Sequence, residues 1–379
     1  MVWQKIKQWF GKGKSRKGDE PQQGGANLPA LSWIEPADNP WGVRLLDVRP
    51  ITQGMLSTST NRECAENAIS FSNDDGTSFI GVDPESDRTV PSTLDYRIDG
   101  MLADGALFTP QAMEEKWAIY VHQCKLIFIR SWTRTVRVTA TFKADGDRIR
   151  ITAIRGMFLE ADEDEELTNR LFDFLLRSHA LGQVYPVPML PGMDAMESSA
   201  GLVCFTLFGS FAHFAAQEVI ERRTPDEPLR SNSLLHIAVA RSDKQAAEAQ
   251  LAAGVPIDLL AGDGRAPLHW AFDDAMVNFL LERGSPVDVR GADSATPLMN
   301  AVERRMPELA ELFIRKGSDV NAKDDRGFTA LHRAAEMAEV AIARMLVAAG
   351  ASPDAEAQGH TPRSLANACG QKEILKLFT

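Results

Sequence analysis

His122 and Cys124 stand two residues apart in KWAIYVHQCKLIFIRSW (residues 116–132), where a continuous strand would turn both to one face. An imidazole beside a thiol is the pair that nucleophilic catalysis uses, given contact and an orienting third group. The plainer reading is a core cysteine beside a partly buried histidine. Asp95, Asp99, Glu114 and Glu115 could supply carboxylates to a cleft, but nothing in their spacing sets a separation. A cationic group is better defined. Arg130, Arg137, Arg148, Arg150 and Arg155 fall on or near adjacent candidate strands, with Trp132 close by. Arg134 has the parity of the apolar face and joins them only if its strand begins later. Such a face can accept an anion, a phosphate or an acidic partner segment, or pair with the chain's own acidic run from Glu160. His236, His269 and His332 are a repeat or more apart, so they read as partners of turn backbones rather than as one metal site. HExxH, a phosphate-binding glycine loop, GxSxG and an EF-hand run are all missing from the sequence. The expectation is no metal, no cofactor and no catalytic residue; an enzyme sited in the N-terminal half is the alternative.

The chain that must position these groups has 379 residues, enough for two or three domains. Apolar residues make up 44% and charged residues 25%, as in ordinary globular proteins. A net charge of −11 argues against specific nucleic-acid binding, which needs local positive charge. Four scattered cysteines without a CxxC pair fit a reducing compartment better than a disulfide framework. Residues 1–17 differ from the rest. They hold Lys5, Lys7, Lys12, Lys14, Arg16 and Lys17 and no acid, leaving about −17 elsewhere. Trp3, Ile6, Trp9 and Phe10 form an apolar stripe at helical spacing. Residues 1–10 therefore suit weak peripheral contact with an anionic membrane, or docking on the protein itself. No apolar run follows the lysines, so a secretory signal is not expected, and the setting reads as cytoplasmic or membrane-peripheral.

Residues 1–27 divide into that basic amphipathic helix and a glycine- and proline-containing linker. Residues 28–190 read as an α+β domain on an antiparallel sheet. WGVRLLDVRPI and TVPSTLDYRID are strand candidates. In TRTVRVTATF, Val136, Val138, Ala140 and Phe142 take one face, opposite Thr135, Arg137, Thr139 and Thr141. Asp145-Gly146 turns the chain into RIRITAIRG, with Ile149 and Ile151 inward. Acidic residues then precede LTNRLFDFLLRSHA, as suits a helix N-terminus. Residues 191–227 read as a proline-containing connector and a buried apolar helix broken near Gly209. The uncharged run from Ser198 to Gln217 reaches membrane-span length, yet Ser199, Thr206, Ser210, His213 and Gln217 interrupt it.

Residues 228–379 carry one phrase several times: SLLHIA, APLHWA, TPLMNA and TALHRAA. His236, His269, Met299 and His332 share a slot at intervals of 33, 30 and 33 residues. A leucine precedes each, and Gly254, Gly284, Gly317 and Gly350 follow. Asp258, Asp288, Asn321 and Asp354 stand four residues beyond those glycines. The hydroxyl before each helix can cap it, proline at the first helical position sacrifices no donor, and glycine can end the second helix left-handed. These units resemble ankyrin repeats. The resemblance implies four helical pairs plus a terminal capping repeat, TPRSLANACGQKEILKLF, in which Arg363 replaces the usual leucine. The fold class expected is thus an α+β N-terminal domain with an antiparallel sheet, followed by an all-α solenoid.

The second unit departs from this pattern. Slot to glycine is 15 residues there and 18 elsewhere, so a helix or loop must be shorter. The resemblance implies recognition of a protein partner by turns and inner helices, and Asp263, Trp270, Phe272, Asn300, Arg304, Arg305, Arg333 and Met337 are the residues expected to do it. Asp258, Asp263, Asp288, Asp293, Asp319, Asp324 and Asp325 on the turns suggest a basic or polar partner. An enzyme with repeats as adaptor, and a scaffold anchored by the N-terminal helix, are the other functions this sequence allows.

Overall fold

Alternating apolar residues in the N-terminal half build two sheets, seen in a computed structural model that describes residues 28–57, 61–159, 163–190, 193, 197–220 and 226–378. The basic stretch 1–17 and the linker lie outside the described residues. The chain divides into two compact units, Met1–Ser231 and Asn232–Thr379.

In the first unit the strands are β1 (Ser32–Ile34), β2 (Leu45–Asp47), β3 (Thr89–Pro91), β4 (Asp95–Arg97), β5 (Gly105–Phe108), β6 (Trp117–His122), β7 (Lys125–Arg130), β8 (Thr135–Asp145), β9 (Arg148–Gly156), β10 (Val187–Pro188) and β11 (Phe214–Ala216). The larger sheet runs β5-β6-β7-β8-β9-β3, with β4 also on β9, and these pairings are antiparallel. The smaller runs β1-β2-β11-β10, its last pair parallel. Helices α1 (Arg49–Thr52), α2 (Arg62–Ile69), α3 (Glu165–Leu175) and α4 (Glu197–Phe208) complete the unit. Asp164 caps α3 by accepting from the Leu167 N–H at 2.8 Å, with Glu165 and Glu166 in the first turn, where negative charge is favourable. α4 ends at Phe208, and the left-handed Gly209 that follows (φ +69) is a position only glycine fits, because a Cβ there would overlap the Glu114 carbonyl. No helix among the described residues is long and apolar enough to cross a membrane.

The larger sheet is buried on both faces along β6 and β7. Trp117, Ile119, Val121, Leu126 and Phe128 pack with Phe172 and Phe208. Ala118, Tyr120, Ile127 and Ile129 pack with Phe71 and Phe79. Full burial of each such large side chain contributes roughly 1.5–3 kcal/mol. Two details of the strand reading need correction. Val136 does not share a face with Val138, because the register shifts between Phe128/Val138 and Ile129/Val136, leaving Arg137 as the extra residue of a bulge. Nor does a single strand carry His122 and Cys124. Gln123 (φ +52) and Cys124 (φ +57) are the two central residues of the β6–β7 turn.

The Arg137 bulge makes a specific demand. Met157 donates its N–H to the Arg137 carbonyl at 3.2 Å, and Gly156 passes beside that oxygen with φ +105. A Cβ at Gly156 would overlap it and press on Pro84. Gly156→Ala should therefore destabilise the first unit by at least about 2 kcal/mol, combining the φ penalty with the overlap. Urea unfolding measures it; an unchanged midpoint contradicts this account of the bulge.

The second unit is a row of helical pairs: α5 (Leu234–Ala240) with α6 (Lys244–Ala252), α7 (Pro267–Trp270) with α8 (Asp274–Glu282), α9 (Pro297–Glu303) with α10 (Pro307–Arg315), α11 (Ala330–Glu336) with α12 (Val340–Ala348), and α13 (Pro362–Ala368) with α14 (Lys372–Leu375). Ser233, Thr296, Thr329 and Thr361 cap their helices, while Ala266 cannot. Gly254, Gly284, Gly317 and Gly350 end the second helices at φ +88 to +93, so each left-handed end falls on a glycine. One core runs through every pair, from Leu235 through Leu268, Leu298 and Leu331 to Ala366 and Phe378.

Hydrogen bonds tie successive pairs together. His236 reaches the Arg265 carbonyl at 3.1 Å through Nε2, His269 the Ala295 carbonyl at 3.1 Å, and His332 the His360 carbonyl at 3.4 Å. The Asp288 carboxylate accepts the Asp319 N–H at 2.9 Å, and the Asn321 side-chain oxygen the Ser352 N–H at 2.9 Å. Burial pushes the His236 and His269 imidazoles down to about 4. Their unfolded counterparts protonate near 6.5, so the stability they contribute is complete above that pH and is lost as pH falls toward 4. Between pH 7 and pH 5 each should cost the repeats about 2 kcal/mol. His236→Gln should flatten that dependence in urea unfolding; an equally steep loss contradicts the assignment.

Candidate functional site

The three residues missing from the second repeat come out of its first helix. That helix spans Pro267–Trp270, four residues, where α5, α9, α11 and α13 have seven. In those pairs the inter-helix link turns through a left-handed residue: Ser242, Arg305, Ala338 or Gly370. The second pair has none, and Ala271 leaves the helix in an extended conformation (φ −70, ψ 136). Asp273 then caps α8 through the Met276 N–H at 2.8 Å and takes a hydrogen bond from the Ser242 hydroxyl.

Side chains of two units converge where the turn is missing. Trp270 is half-buried, its Nε1–H donating to the Asp263 carboxylate at 3.1 Å and its ring edge-on to His236. Phe272 is 45% exposed, an unusual state for a large apolar side chain in this region. The Arg304 guanidinium, from the third unit, lies over the Phe272 ring at 4.9 Å. Asp263, Trp270, Phe272 and Arg304 thus form one exposed cluster.

The other four expected recognition residues do not join it. Asn300 and Arg333 are buried, which corrects their placement on an open face. The Asn300 amide donates to the His269 carbonyl at 2.7 Å, replacing a donor that the truncated helix no longer supplies. Arg333 binds Asp324 at 2.8 Å and Glu303, joining the third and fourth units. Arg305 pairs with Glu339 at 3.4 Å, and Met337 is half-buried at the end of α11. Several turn aspartates are similarly occupied. Asp263, Asp293, Asp319 and Asp324 each accept a backbone N–H two residues on, an Asx turn.

Three overlapping copies of the ankyrin repeat family model match this chain, at residues 235–324, 272–357 and 298–379. Residues 235–379 are an ankyrin repeat region. The chain is 37% identical over 124 residues to neurogenic locus notch homolog protein 1 of Mus musculus, covering 32% of this chain and 5% of that protein. It is 34% identical over 165 residues to notch homolog protein 2 of Homo sapiens, covering 42% and 6%. It is 29% identical over 128 residues to an intracellular phospholipase A2 of Caenorhabditis elegans, covering 30% and 12%. The chain spans only a small part of these relatives. No family model matches the residues before the ankyrin repeats.

The first unit disperses the residues that looked chemical. Arg130 faces the core rather than solvent: it donates to the Thr206 and Leu207 carbonyls at 2.5 and 2.6 Å, satisfying the C-terminal turn of α4. Burial, with Arg137 nearby, pushes it down to about 10. Arg137 pairs with Glu85, Arg148 with Asp95 and Asp226, and Arg155 with Asp83, while Arg150 is exposed. Arg137, Arg148 and Arg155 are therefore paired with acids outside the run that begins at Glu160, whose first three residues lie outside the described residues, and Arg130 is taken up by backbone carbonyls. Arg134 pairs with Asp74 and stacks on Phe71 at 4.4 Å. Glu114 and Glu115 accept the Ser57 and Gln111 N–H groups, and Asp99 pairs with Arg230. His122 is 1% exposed and bonds the Asp75 carbonyl at 2.9 Å, whereas Cys124 is exposed in the turn.

Two features escaped the sequence reading. Lys116 is buried between the rings of Trp132 (4.2 Å) and Phe205 (5.1 Å), bonded to the Ser57 hydroxyl at 2.5 Å and the Met113 carbonyl at 2.7 Å. Burial, helped by Arg130, pushes it down to about 7. A lone lysine at the start of a strand ordinarily projects into solvent, so its type carried no signal. A groove of about 200 Å³ is lined by Leu94, Arg170, Tyr185, Pro188, Val219 and Ile220, brought together by tertiary packing alone.

Proposed function

We propose that this chain is a protein-interaction adaptor whose ankyrin repeats dock a partner at the shortened second unit, with Trp270, Phe272, Arg304 and Asp263 as the contact centre. The observation that carries the reading is Phe272: a half-exposed aromatic ring at a gap in an otherwise regular stack, with the Arg304 guanidinium over it. Tryptophan and arginine dominate binding hot spots because each combines large contact area with directed donors. Interlocked neighbours hold the cluster rigidly, which lowers the ordering cost of binding.

The turn aspartates suggested a basic or polar partner. Several of them are spent on turn backbones and on Arg265 and Arg333, so we centre recognition on the rings and keep the aspartates as a polar rim. The enzymatic alternative has lost support, since its candidate base His122 is sealed in the core. Residues 1–10, on which membrane contact would rest, lie outside the described residues.

Affinity capture with full-length wild-type protein and with Phe272→Ser tests the proposal, with circular dichroism as the control for folding. Proteins held by the wild type should be retained at least about tenfold less by the variant. Equal capture by a folded variant refutes docking at this cluster.

A further inference from the structure

We infer that the partner segment read by this cluster presents a carboxylate next to an apolar side chain; this rests on the docking function proposed above. Most arginines around the gap already have acid partners. Arg265 has Asp293 at 2.5 Å and Glu303 at 4.0 Å. Arg305 has Glu339, Arg326 has Asp324 at 3.5 Å, and Arg333 has Asp324 and Glu303. Arg304, exposed beside Phe272, has no carboxylate within 4.0 Å among the described residues. Asp263 is the acid that acts on it, but both oxygens of that carboxylate are engaged, one with the Arg265 N–H at 2.9 Å and the other with Trp270.

The Arg304 guanidinium sits over the Phe272 ring, 4.9 Å from its centroid, and keeps N–H donors that no carboxylate of the described residues takes up within 4.0 Å. Two parallel N–H donors match the two oxygens of a carboxylate, and such paired, charge-assisted bonds are roughly twice as strong as neutral ones. The exposed Phe272 ring is the adjacent apolar contact. A segment filling both positions needs an acidic group and an aliphatic or aromatic group as near neighbours. A lysine or arginine in the same place would meet Arg304 as a like charge, so the site discriminates as well as attracts.

The protein carries −11 overall, so this preference is local and must come from short-range contact rather than from steering at a distance. Selection of random peptides of about 12 residues, displayed on phage, against immobilised full-length protein tests it. Enriched peptides should carry Asp or Glu within two positions of an aromatic or aliphatic residue. Synthetic versions should bind at least about tenfold more weakly to Arg304→Gln and to Phe272→Ser. Selection on Arg304→Glu should enrich Lys or Arg instead. Peptides that need Phe272 but lack an acid and ignore Arg304→Gln overturn this inference while leaving the docking function standing. Peptides indifferent to both residues, or no enrichment at all, overturn both.

Discussion

No helical pair after residue 232 can cover its own apolar side. A helix of seven residues paired with one of nine leaves leucines such as Leu298 and Leu331 without partners until the next pair arrives. Everything else in the repeat region follows from that constraint. The histidines matter because their second nitrogen reaches a carbonyl of the next unit, where a hydrophobe could fill the space but not satisfy the oxygen. Asp288 and Asn321 do the same on the turn side. Each unit is therefore completed twice over, once by packing and once by directed bonds.

The same constraint explains why a small deletion becomes a surface. Removing one turn from α7 cannot shift the whole stack, because the units on either side remain locked to their own neighbours. The defect stays local. Asn300 repairs the loose carbonyl at His269, and Asp273 takes over the cap. What cannot be repaired is the volume the missing turn would have covered, and Phe272 stands at its edge, 45% exposed with the Arg304 guanidinium over its ring. A binding site built this way inherits the rigidity of the scaffold without adding a loop to order.

Much of this was legible in the sequence because repetition is itself a physical signal. Slot, glycine and aspartate kept one phase across four units, and each mark proved to have a structural task. The shortened unit could be read from a count of residues, and Trp270 and Phe272 are its two aromatic residues beside the slot, where the other units have Ile237, Asn300 and Arg333, and Val239, Val302 and Ala335. Asn300 and Arg333 were misplaced for a definite reason: an inner-helix position can face either the partner or the adjacent unit, and residue type does not separate them when a buried arginine finds Asp324 and Glu303. The N-terminal sheet was readable from alternation until the Arg137 bulge, which moves Val136 to the opposite face with no change in residue type. The Gln123-Cys124 turn was missed because neither residue is one that a left-handed turn favours. Lys116 and the groove by Tyr185 depend on contacts between distant segments, which periodicity does not encode.

The central claim is that the repeats hold their shape through mutual completion, so the measurement that tests it most directly is hydrogen exchange across the whole region after a single core truncation. Leu298 is 1% exposed in the third unit. In Leu298→Ala, amides of α8 and α11, in the second and fourth units, should lose protection together with those of α9. Loss confined to α9 and α10, with the neighbouring pairs as protected as before, would show that each pair stands alone and would contradict the account.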